Sequence, residues 1–176
     1  MIRITPYDES WPVAYEYEAK SIQTALGTRA IRIEHVGSTS IPGLAAKPVI
    51  DIQISVASLE PIDAYINALA RLDYRFVSLG EFDLIYPFFA KPGQWPSTHH
   101  IHVCLAGGEQ ERKHIAFRDY LRQNPEVVAD YAALKQRLAV DYDGTTLESI
   151  ERYSLAKTQF VNTVLAKAGC TWVSAQ

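Results

Sequence analysis

The sequence predicts an α+β fold in which a β-sheet is followed along the chain by a layer of helices. Strand-like and helix-like patterns are mixed over about residues 1–107, and only helical patterns occur over about residues 108–170. Hydrophobic residues make up 48% of the 176 residues, which is enough material for a full core. We expect residues 1–176 to form one domain, because single domains commonly have this length.

The first segment combines a short strand with a long helix. Residues 2–5 are a strand candidate, and Ser10 is a favourable N-cap because its side chain can accept a hydrogen bond from a backbone N–H group. Pro12 suits the first helical turn, and Gly27 would end the helix after about residue 26.

A strand–loop–strand unit follows. Arg32–Val36 is predicted as a strand, residues 37–43 as a loop or a single turn, and Val49–Val56 as the clearest strand in the chain. In that second strand isoleucine and valine alternate with polar residues that include Asp51 and Gln53. Because side chains alternate across a strand, we expect one apolar face and one polar face.

Three further strands and one helix complete the mixed region. A helix is predicted over about residues 61–72, followed by strands at Tyr74–Leu79, Leu84–Ala90 and His99–Leu105. Pro87 would place the second of these strands at a sheet edge or at a bulge, because proline lacks the N–H donor of the ladder.

Helices alone are predicted for the C-terminal region. They cover about residues 111–123, a segment that starts at Pro125 after the capping residue Asn124, and a segment that ends near residue 168. The last helix would begin at a capping box formed by Thr145 and Glu148.

The composition argues against several classes of partner. The chain has 17 basic and 20 acidic residues and a net charge of -3, so duplex nucleic acid is not an expected partner. No apolar run is long enough to span a bilayer, and the first residues lack the apolar region of a secretory signal. Two cysteines, Cys104 and Cys170, favour reduced thiols over a disulfide framework or a zinc site. We therefore expect a soluble cytoplasmic protein with no membrane partner.

The polar face of the strand at Asp51 is the first candidate site. A polar face on a central strand needs internal partners or a ligand. Asp51 would hold a metal ion or a substrate hydroxyl, and a solvated sheet face is the alternative.

The loop before this strand is the second candidate site. Gly37, Ser38, Thr39 and Ser40 directly follow a strand, and small residues there leave backbone N–H groups free while their hydroxyls add donors. This arrangement suits phosphate oxygens, and Lys47 would supply a counter-charge. An ordinary turn and a surface lysine are the alternatives.

Histidines on the last predicted strand form a third candidate site. His100, His102 and Cys104 are expected on one strand face. Two histidines at this spacing can share a metal ion, and imidazoles that form hydrogen bonds within the sheet are the alternative.

Cations on the C-terminal helices add a further indication. Arg118, Lys135 and Lys157 lie in the apolar stripes of successive helical segments. A cation in such a stripe must extend to solvent or pair with an anion. Together they favour a shared anion, either internal carboxylates or a bound phosphate.

The run HVGSTSIPGLAAKPVIDI at residues 35–52 resembles the signature of the GrpB family. Further similarity extends over nearly the whole chain, at residues 7–8, 11–12, 116–122, 124–126, 131–135 and 153–157. Some GrpB-like domains are fused to dephospho-CoA kinase, which implies a link to nucleotide or coenzyme A metabolism.

The resemblance implies a nucleotidyltransferase-like fold, with a mixed β-sheet core, flanking helices and a helical C-terminal layer. In that superfamily a Gly-Ser pair helps to hold a triphosphate, and carboxylates on two strands bind divalent metal. Gly37 and Ser38 match the pair, and Asp51 matches the first carboxylate. Gln53 stands where a second carboxylate is expected, and the later strand offers imidazoles in place of a third.

These observations predict an enzyme or former enzyme of nucleotidyltransferase type that binds a nucleotide or another phosphorylated small molecule. The alternative is a non-catalytic module that senses a nucleotide or a coenzyme A-related ligand. The predicted catalytic residues are Asp51 and Gln53, and the predicted ligands of a divalent Mg, Mn or Zn ion are Asp51, His100 and His102. The predicted phosphate-binding residues are Gly37, Ser38, Thr39, Ser40, Lys47, Arg118, Lys135 and Lys157.

Overall fold

The structure is a computed structural model that describes residues 2–93, 96–142 and 144–170. It consists of a five-stranded mixed β-sheet with helices on both faces. The strands are β1 (Arg32–Val36), β2 (Ile50–Val56), β3 (Arg75–Val77), β4 (Phe88–Lys91) and β5 (His99–Leu105). Their order across the sheet is β1-β2-β5-β4-β3, and β2 and β5 are parallel while the other neighbouring pairs are antiparallel. The predicted α+β class is therefore confirmed.

Helices precede, interrupt and follow the strands along the chain. Those in the described residues are α1 (Ser10–Leu26), α2 (Ile62–Ala70), α3 (Glu109–Gln123), α4 (Pro125–Ala139), α5 (Leu147–Leu155) and α6 (Thr158–Lys167). None of these helices has the length and apolar character needed to cross a bilayer.

The apolar face of β2 forms the main core. Ile52 and Ile54 are fully buried and belong to one cluster with Ile22 of α1 and Leu69 of α2. Burying side chains of this size contributes about 1.5–3 kcal/mol each, which anchors α1 and α2 to this face.

The polar face of β2 is covered as well. Gln53 and Ser55 are both 0% exposed, which is inconsistent with a solvated sheet face. A second apolar cluster beyond this face joins Leu121 of α3, Tyr131 of α4 and Val164 of α6. The C-terminal helices therefore cover the polar face, and a site on that face lies between the sheet and these helices.

Several predicted elements differ from the structure in their limits. Residues 2–5 form only an isolated bridge, in which the backbones of Thr5 and Ala46 exchange two hydrogen bonds. Ser10 lies inside α1, and the Asp8 carboxylate instead accepts a hydrogen bond from the Ser10 N–H group at 2.8 Å.

The predicted strand at Leu84–Ala90 begins later. Residues 80–84 form a 3₁₀ turn, and β4 lies inside the sheet between β5 and β3. Pro87 precedes β4, so its missing N–H group removes no bond from that strand, and its carbonyl accepts a hydrogen bond from Val103.

The last predicted helix is divided in the structure. Thr146, not Thr145, caps α5, and its hydroxyl accepts a hydrogen bond from the Ser149 N–H group at 3.2 Å. Helix α5 ends at Leu155 and α6 begins at Thr158, so that Lys157 occupies the N-cap position of α6.

Candidate functional site

Asp51 lies at the centre of the polar sheet face. The parallel pairing of β2 and β5 sets Asp51 opposite His100 and Gln53 opposite His102. The Asp51 Oδ1 atom is 3.2 Å from His100 Nδ1 and 3.9 Å from His102 Nε2. The His100 Nδ1–H group donates to Asp51, so His100 Nε2 accepts from the Ser97 hydroxyl at 2.7 Å.

This arrangement keeps the Asp51 carboxylate ionised. Burial alone would raise the pKa of Asp51, but the hydrogen bond from His100 and the nearby His102 imidazole outweigh it and hold that pKa well below its usual range. Burial also lowers the pKa of His100, despite the neighbouring carboxylate. His100 is therefore a neutral donor that orients Asp51.

Gly37 brings the loop backbone against this carboxylate. Its φ is +67° and its ψ is -171°, a conformation that is essentially restricted to glycine. A Cβ atom at position 37 would lie 2.3 Å from Asp51 Oδ2, far inside van der Waals contact. Glycine is thus required twice here, for its backbone angles and for the absence of a side chain.

A cavity of about 320 Å³ opens beside Asp51, and we call it the lysine chamber. Its defining side chains are Ser38 of the loop, Lys47, Lys135 of α4 and Lys157, and Asp51, His100 and His102 form its floor. The structure therefore brings together cations that are 88 and 22 residues apart in the sequence (47 to 135, and 135 to 157).

The lysines of this chamber repel one another. Burial and the charge of Lys157 lower the pKa of Lys135 to about 7, and burial and the charge of Lys47 lower the pKa of Lys157 to about 8. Burial also lowers the pKa of Lys47. The Lys135 ammonium donates to the Ala45 carbonyl, and Lys135 is only 2% exposed. An anion bound among these groups would relieve the repulsion of crowded positive charge.

Tyrosine rings lie against two of the chamber's lysines, and one of these tyrosines, Tyr153, lines the lysine chamber. The Lys157 Nζ atom lies 4.2 Å from the ring centroid of Tyr153, and Lys135 Nζ lies 4.8 Å from that of Tyr131. Aromatic faces at this distance attract cations and help to hold the two ammonium groups in place.

A second cavity of about 360 Å³ lies on the other side of Asp51, and we call it the amide chamber. Its defining side chains are Gln110, Lys113, His114 and Phe117 of α3 and Asn162 of α6. Asp51 and His102 line both chambers, and Gly37 lines the amide chamber while the next residue, Ser38, lines the lysine chamber. The two chambers therefore meet at the Asp51–His102 pair.

Gln53, a predicted catalytic residue, serves as an internal partner instead. Its Oε1 atom accepts a hydrogen bond from His114 Nδ1 at 2.7 Å, and the side chain has no exposed surface. The Tyr86 hydroxyl in turn donates to His114 Nε2 at 2.7 Å, and the Tyr86 ring stacks on His102. With its carbonyl oxygen used in this way, Gln53 positions His114, and a catalytic role for Gln53 stays a prediction.

His114 and Tyr86 were absent from the predicted site. His114 precedes Arg118 by four residues and so shares its helix face, which is the one indication in the sequence that it turns toward the sheet. Burial lowers the pKa of His114 to about 4, so this imidazole is neutral and fits the donor role toward Gln53.

Two hydroxyls of the predicted phosphate loop are used inside the protein. The Thr39 hydroxyl donates to the Val49 carbonyl at 3.1 Å and accepts from His35 Nε2 at 3.1 Å. The Ser40 hydroxyl donates to the Gly37 carbonyl at 2.7 Å and closes the turn. The Thr39 and Ser40 hydroxyls are therefore buried and bonded within the loop, and contact of these residues with phosphate stays a prediction.

Arg118 is also engaged internally. Its guanidinium donates to Glu34 at 2.7 Å, to Asp119 at 2.8 Å and to the His35 carbonyl at 3.0 Å. These partners join α3 to β1, and Arg118 is only 8% exposed. In this structure the anions that Arg118 binds are the internal carboxylates of Glu34 and Asp119, and its contact with phosphate stays a prediction.

Two of the predicted metal ligands, Asp51 and His100, are hydrogen-bonded to each other. Within residues 2–93, 96–142 and 144–170, no group of three or more His, Cys, Asp and Glu side chains is arranged to hold a metal ion. His100 Nδ1 is directed at Asp51 Oδ1 and His100 Nε2 at Ser97, so both of its ring nitrogens have protein partners. Asp51 alone of the predicted set keeps a carboxylate oxygen beside both chambers.

Comparisons with known proteins identify a matching family and several similar chains. A family model described as GrpB protein matches residues 1–167. The chain is 33% identical over 162 residues to the UPF0157 protein YqkA of Bacillus subtilis, which is 92% of this chain and 46% of that protein. The chain thus spans about half the length of this relative.

Two further comparisons concern a kinase and a solved structure. The chain is 31% identical over 166 residues to a dephospho-CoA kinase of Mycolicibacterium paratuberculosis, covering 81% of this chain and 41% of that protein. The crystal structure of the conserved protein GrpB from Enterococcus faecalis has a TM-score of 0.81 and 34% identity, and the match covers 94% of this chain and 96% of that one.

Proposed function

The chain belongs to the GrpB family, and we propose that its lysine chamber binds the phosphate groups of a nucleotide or of another phosphorylated small molecule. The convergence of Lys47, Lys135 and Lys157 on one cavity carries this proposal. Among the described residues that line the chamber, these cations face only two carboxylates, Asp51 and Glu151. Partly buried cations that outnumber their carboxylates favour an anionic ligand.

The loop at Gly37 and Ser38 would contribute neutral donors. Residues 38–40 form a 3₁₀ turn whose first residue, Ser38, lines the chamber. Backbone N–H groups at the start of such a turn point away from its carbonyls and can bind phosphate oxygens. The Ser38 hydroxyl, which also lines the lysine chamber, would add one more contact.

Nucleotidyl transfer with a divalent metal ion is one form of this function. Magnesium is usually bound by one or two carboxylates together with substrate phosphates, so Asp51 and a bound ligand would suffice to hold it. A zinc or manganese ion would favour the imidazoles of His100 and His102 in addition, and His100 would first have to give up its bond to Asp51.

A non-catalytic binding or sensor module is the second candidate, and one observation favours it. Strand β2 offers one carboxylate, Asp51, where two-metal transfer chemistry requires several, because position 53 is glutamine and its side chain is bonded to His114. The similarity to a dephospho-CoA kinase supports a ligand from nucleotide or coenzyme A metabolism for either candidate.

Calorimetric titration of the wild-type chain with ATP, coenzyme A and inorganic tripolyphosphate tests the proposal. We expect at least one of these ligands to bind, and we expect Lys157→Met to weaken binding by about tenfold or more, which is the effect of losing about one charge-assisted hydrogen bond. Lys20→Met is the matched control, because Lys20 lies on α1, on the opposite side of the sheet.

One result would contradict the proposed site, and another would distinguish an enzyme from a sensor. Equal affinity of the wild type and Lys157→Met for every ligand would remove the lysine chamber from the site. Release of pyrophosphate from ATP in the presence of magnesium, abolished by Asp51→Asn, would select the enzyme over the sensor.

A further inference from the structure

We propose that a single nucleotide spans both chambers, with its heterocyclic base in the amide chamber and its phosphates in the lysine chamber. This inference rests on the proposed function and names the part of the ligand that the amide chamber selects. It is based on the unequal distribution of charge, on the type of side chains in the amide chamber and on the wall that the two chambers share.

Charge is distributed unequally between the two chambers. The lysine chamber holds Lys47, Lys135 and Lys157. Among its described lining residues the amide chamber has a single lysine, Lys113, which forms an ion pair with Glu109 one helical turn earlier. The amide chamber is therefore nearly neutral apart from Asp51 at the shared wall. A ligand that fits both chambers has one neutral half and one anionic half.

The polar groups of the amide chamber suit a heterocyclic base. Gln110 and Asn162 each carry an amide with both donors and an acceptor, which is the combination that pairs with the edge of a base. Phe117, Val161 and Leu165 supply apolar surface for its faces. A sugar or an amino acid alone would leave this apolar surface unused.

The shared wall joins the two chambers into one ligand path. Asp51 and His102 line both cavities, and consecutive residues, Gly37 and Ser38, face one chamber each. With volumes of about 360 Å³ and about 320 Å³, each chamber lies at the lower end of the range for small-molecule sites. A nucleotide that used both would place its sugar and first phosphate beside Asp51.

The proposal predicts that mutations can weaken the binding of the base and the binding of the phosphates independently. Asn162→Leu should weaken binding of ATP or CTP, whichever binds the wild type more tightly, by about tenfold, because one amide–base hydrogen bond is lost. Inorganic tripolyphosphate lacks a base, so its affinity should not change. Lys157→Met should weaken both ligands by a similar factor.

Thr163→Leu is the control, because Thr163 is the next residue on α6 and lines neither chamber. Unchanged nucleotide affinity in both Asn162→Leu and Gln110→Leu, with tight tripolyphosphate binding retained, would overturn this inference and leave the proposed function standing. Equal losses for nucleotide and tripolyphosphate in Asn162→Leu would also overturn it. Absence of any binding to the wild type would overturn the proposed function itself.

Discussion

Replacing Gly37 by alanine tests the contact on which the site is built. The residue has a φ of +67° and a ψ of -171°, and adopting these angles with a Cβ atom costs about 1–3 kcal/mol. The new Cβ atom would also lie 2.3 Å from Asp51 Oδ2 and 2.8 Å from Asp51 Cβ. Carbon atoms pack favourably at about 3.5–4.0 Å, so the loop or the carboxylate must move by roughly 1 Å.

That movement has a second cost. Turning Asp51 away from position 37 breaks its bond with His100, and a hydrogen bond to a charged group contributes about 1.5–3 kcal/mol. We therefore expect Gly37→Ala to lower the free energy of unfolding by about 2.5–6 kcal/mol in total. For a chain of this length the melting temperature should fall by roughly 10 °C.

Urea denaturation of Gly37→Ala, compared with Gly43→Ala, measures this effect. Gly43 has a φ of +77°, but a Cβ atom there would have no neighbour within 4 Å, so its substitution carries backbone strain without a collision. In a background with Asp51→Gly, the cost of Gly37→Ala should drop toward that of Gly43→Ala. The reasoning is refuted if Gly37→Ala and Gly43→Ala cost the same, or if the double-variant cycle shows no coupling.

Three further predictions concern charge in and around the site. Arg118→Met should lower the free energy of unfolding by about 1–3 kcal/mol without changing tripolyphosphate affinity, because it strands the partly exposed Glu34 carboxylate. Denaturation and calorimetry check this, and weaker ligand binding with unchanged stability would contradict it. Affinity for ATP should fall as pH rises above about 7, because Lys135 has a pKa of about 7 in the free protein and a bound phosphate would raise it. Calorimetry at about pH 8 in two buffers of different ionisation enthalpy should then show proton uptake, whereas buffer-independent heats would count against it. Gln53→Asp should be less stable than wild type at about pH 7 and nearer to it at about pH 5. The folded-state pKa of His114, about 4 in the wild type, would rise beside the new carboxylate, and the stabilisation that this brings is present at low pH and lost as pH rises. Denaturation at both pH values decides this, and a constant difference would show that the introduced carboxylate and His114 do not interact.

The strands show what local pattern can predict. The limits of β1 and β5 agree with the predicted ones, and β2 differs by one residue at its start. Apolar and polar residues alternate without interruption in β2, so the pattern also predicted which face Asp51 occupies. The strand predicted at Leu84–Ala90 begins later, at Phe88, because Leu84 ends a 3₁₀ turn and the apolar residues that follow it lie before β4.

The helical cations show where local pattern is insufficient. Arg118, Lys135 and Lys157 have the same sequence signature, a cation within an apolar stripe. Lys135 and Lys157 line the lysine chamber, whereas Arg118 is bound by Glu34 from β1, which lies 84 residues earlier in the chain. Which anion each of these cations binds depends on tertiary packing, and the local sequence pattern does not predict it.

The partners of the loop hydroxyls also depend on tertiary packing and not on the local sequence. Ser38, Thr39 and Ser40 are alike in sequence, but Thr39 bonds to Val49 and Ser40 bonds to Gly37. A hydroxyl that satisfies a backbone carbonyl is no longer available to a ligand. Only the position of the turn relative to β2 distinguishes Ser38 from its neighbours.

The carboxylates around Asp51 limit the chemistry that the proposed anion site could perform. Glu34, on the strand next to β2, is neutralised by Arg118, and the position of Gln53 is used to hold His114. Among the described residues, Asp51 therefore remains the one carboxylate at the junction of the two chambers, and a single carboxylate is a weak magnesium site without help from a ligand. The positive charge that a phosphate needs comes instead from lysines whose burial makes the free chamber unfavourable. On the proposed function, a bound phosphate would offset this charge, whether or not the protein transforms the phosphorylated molecule.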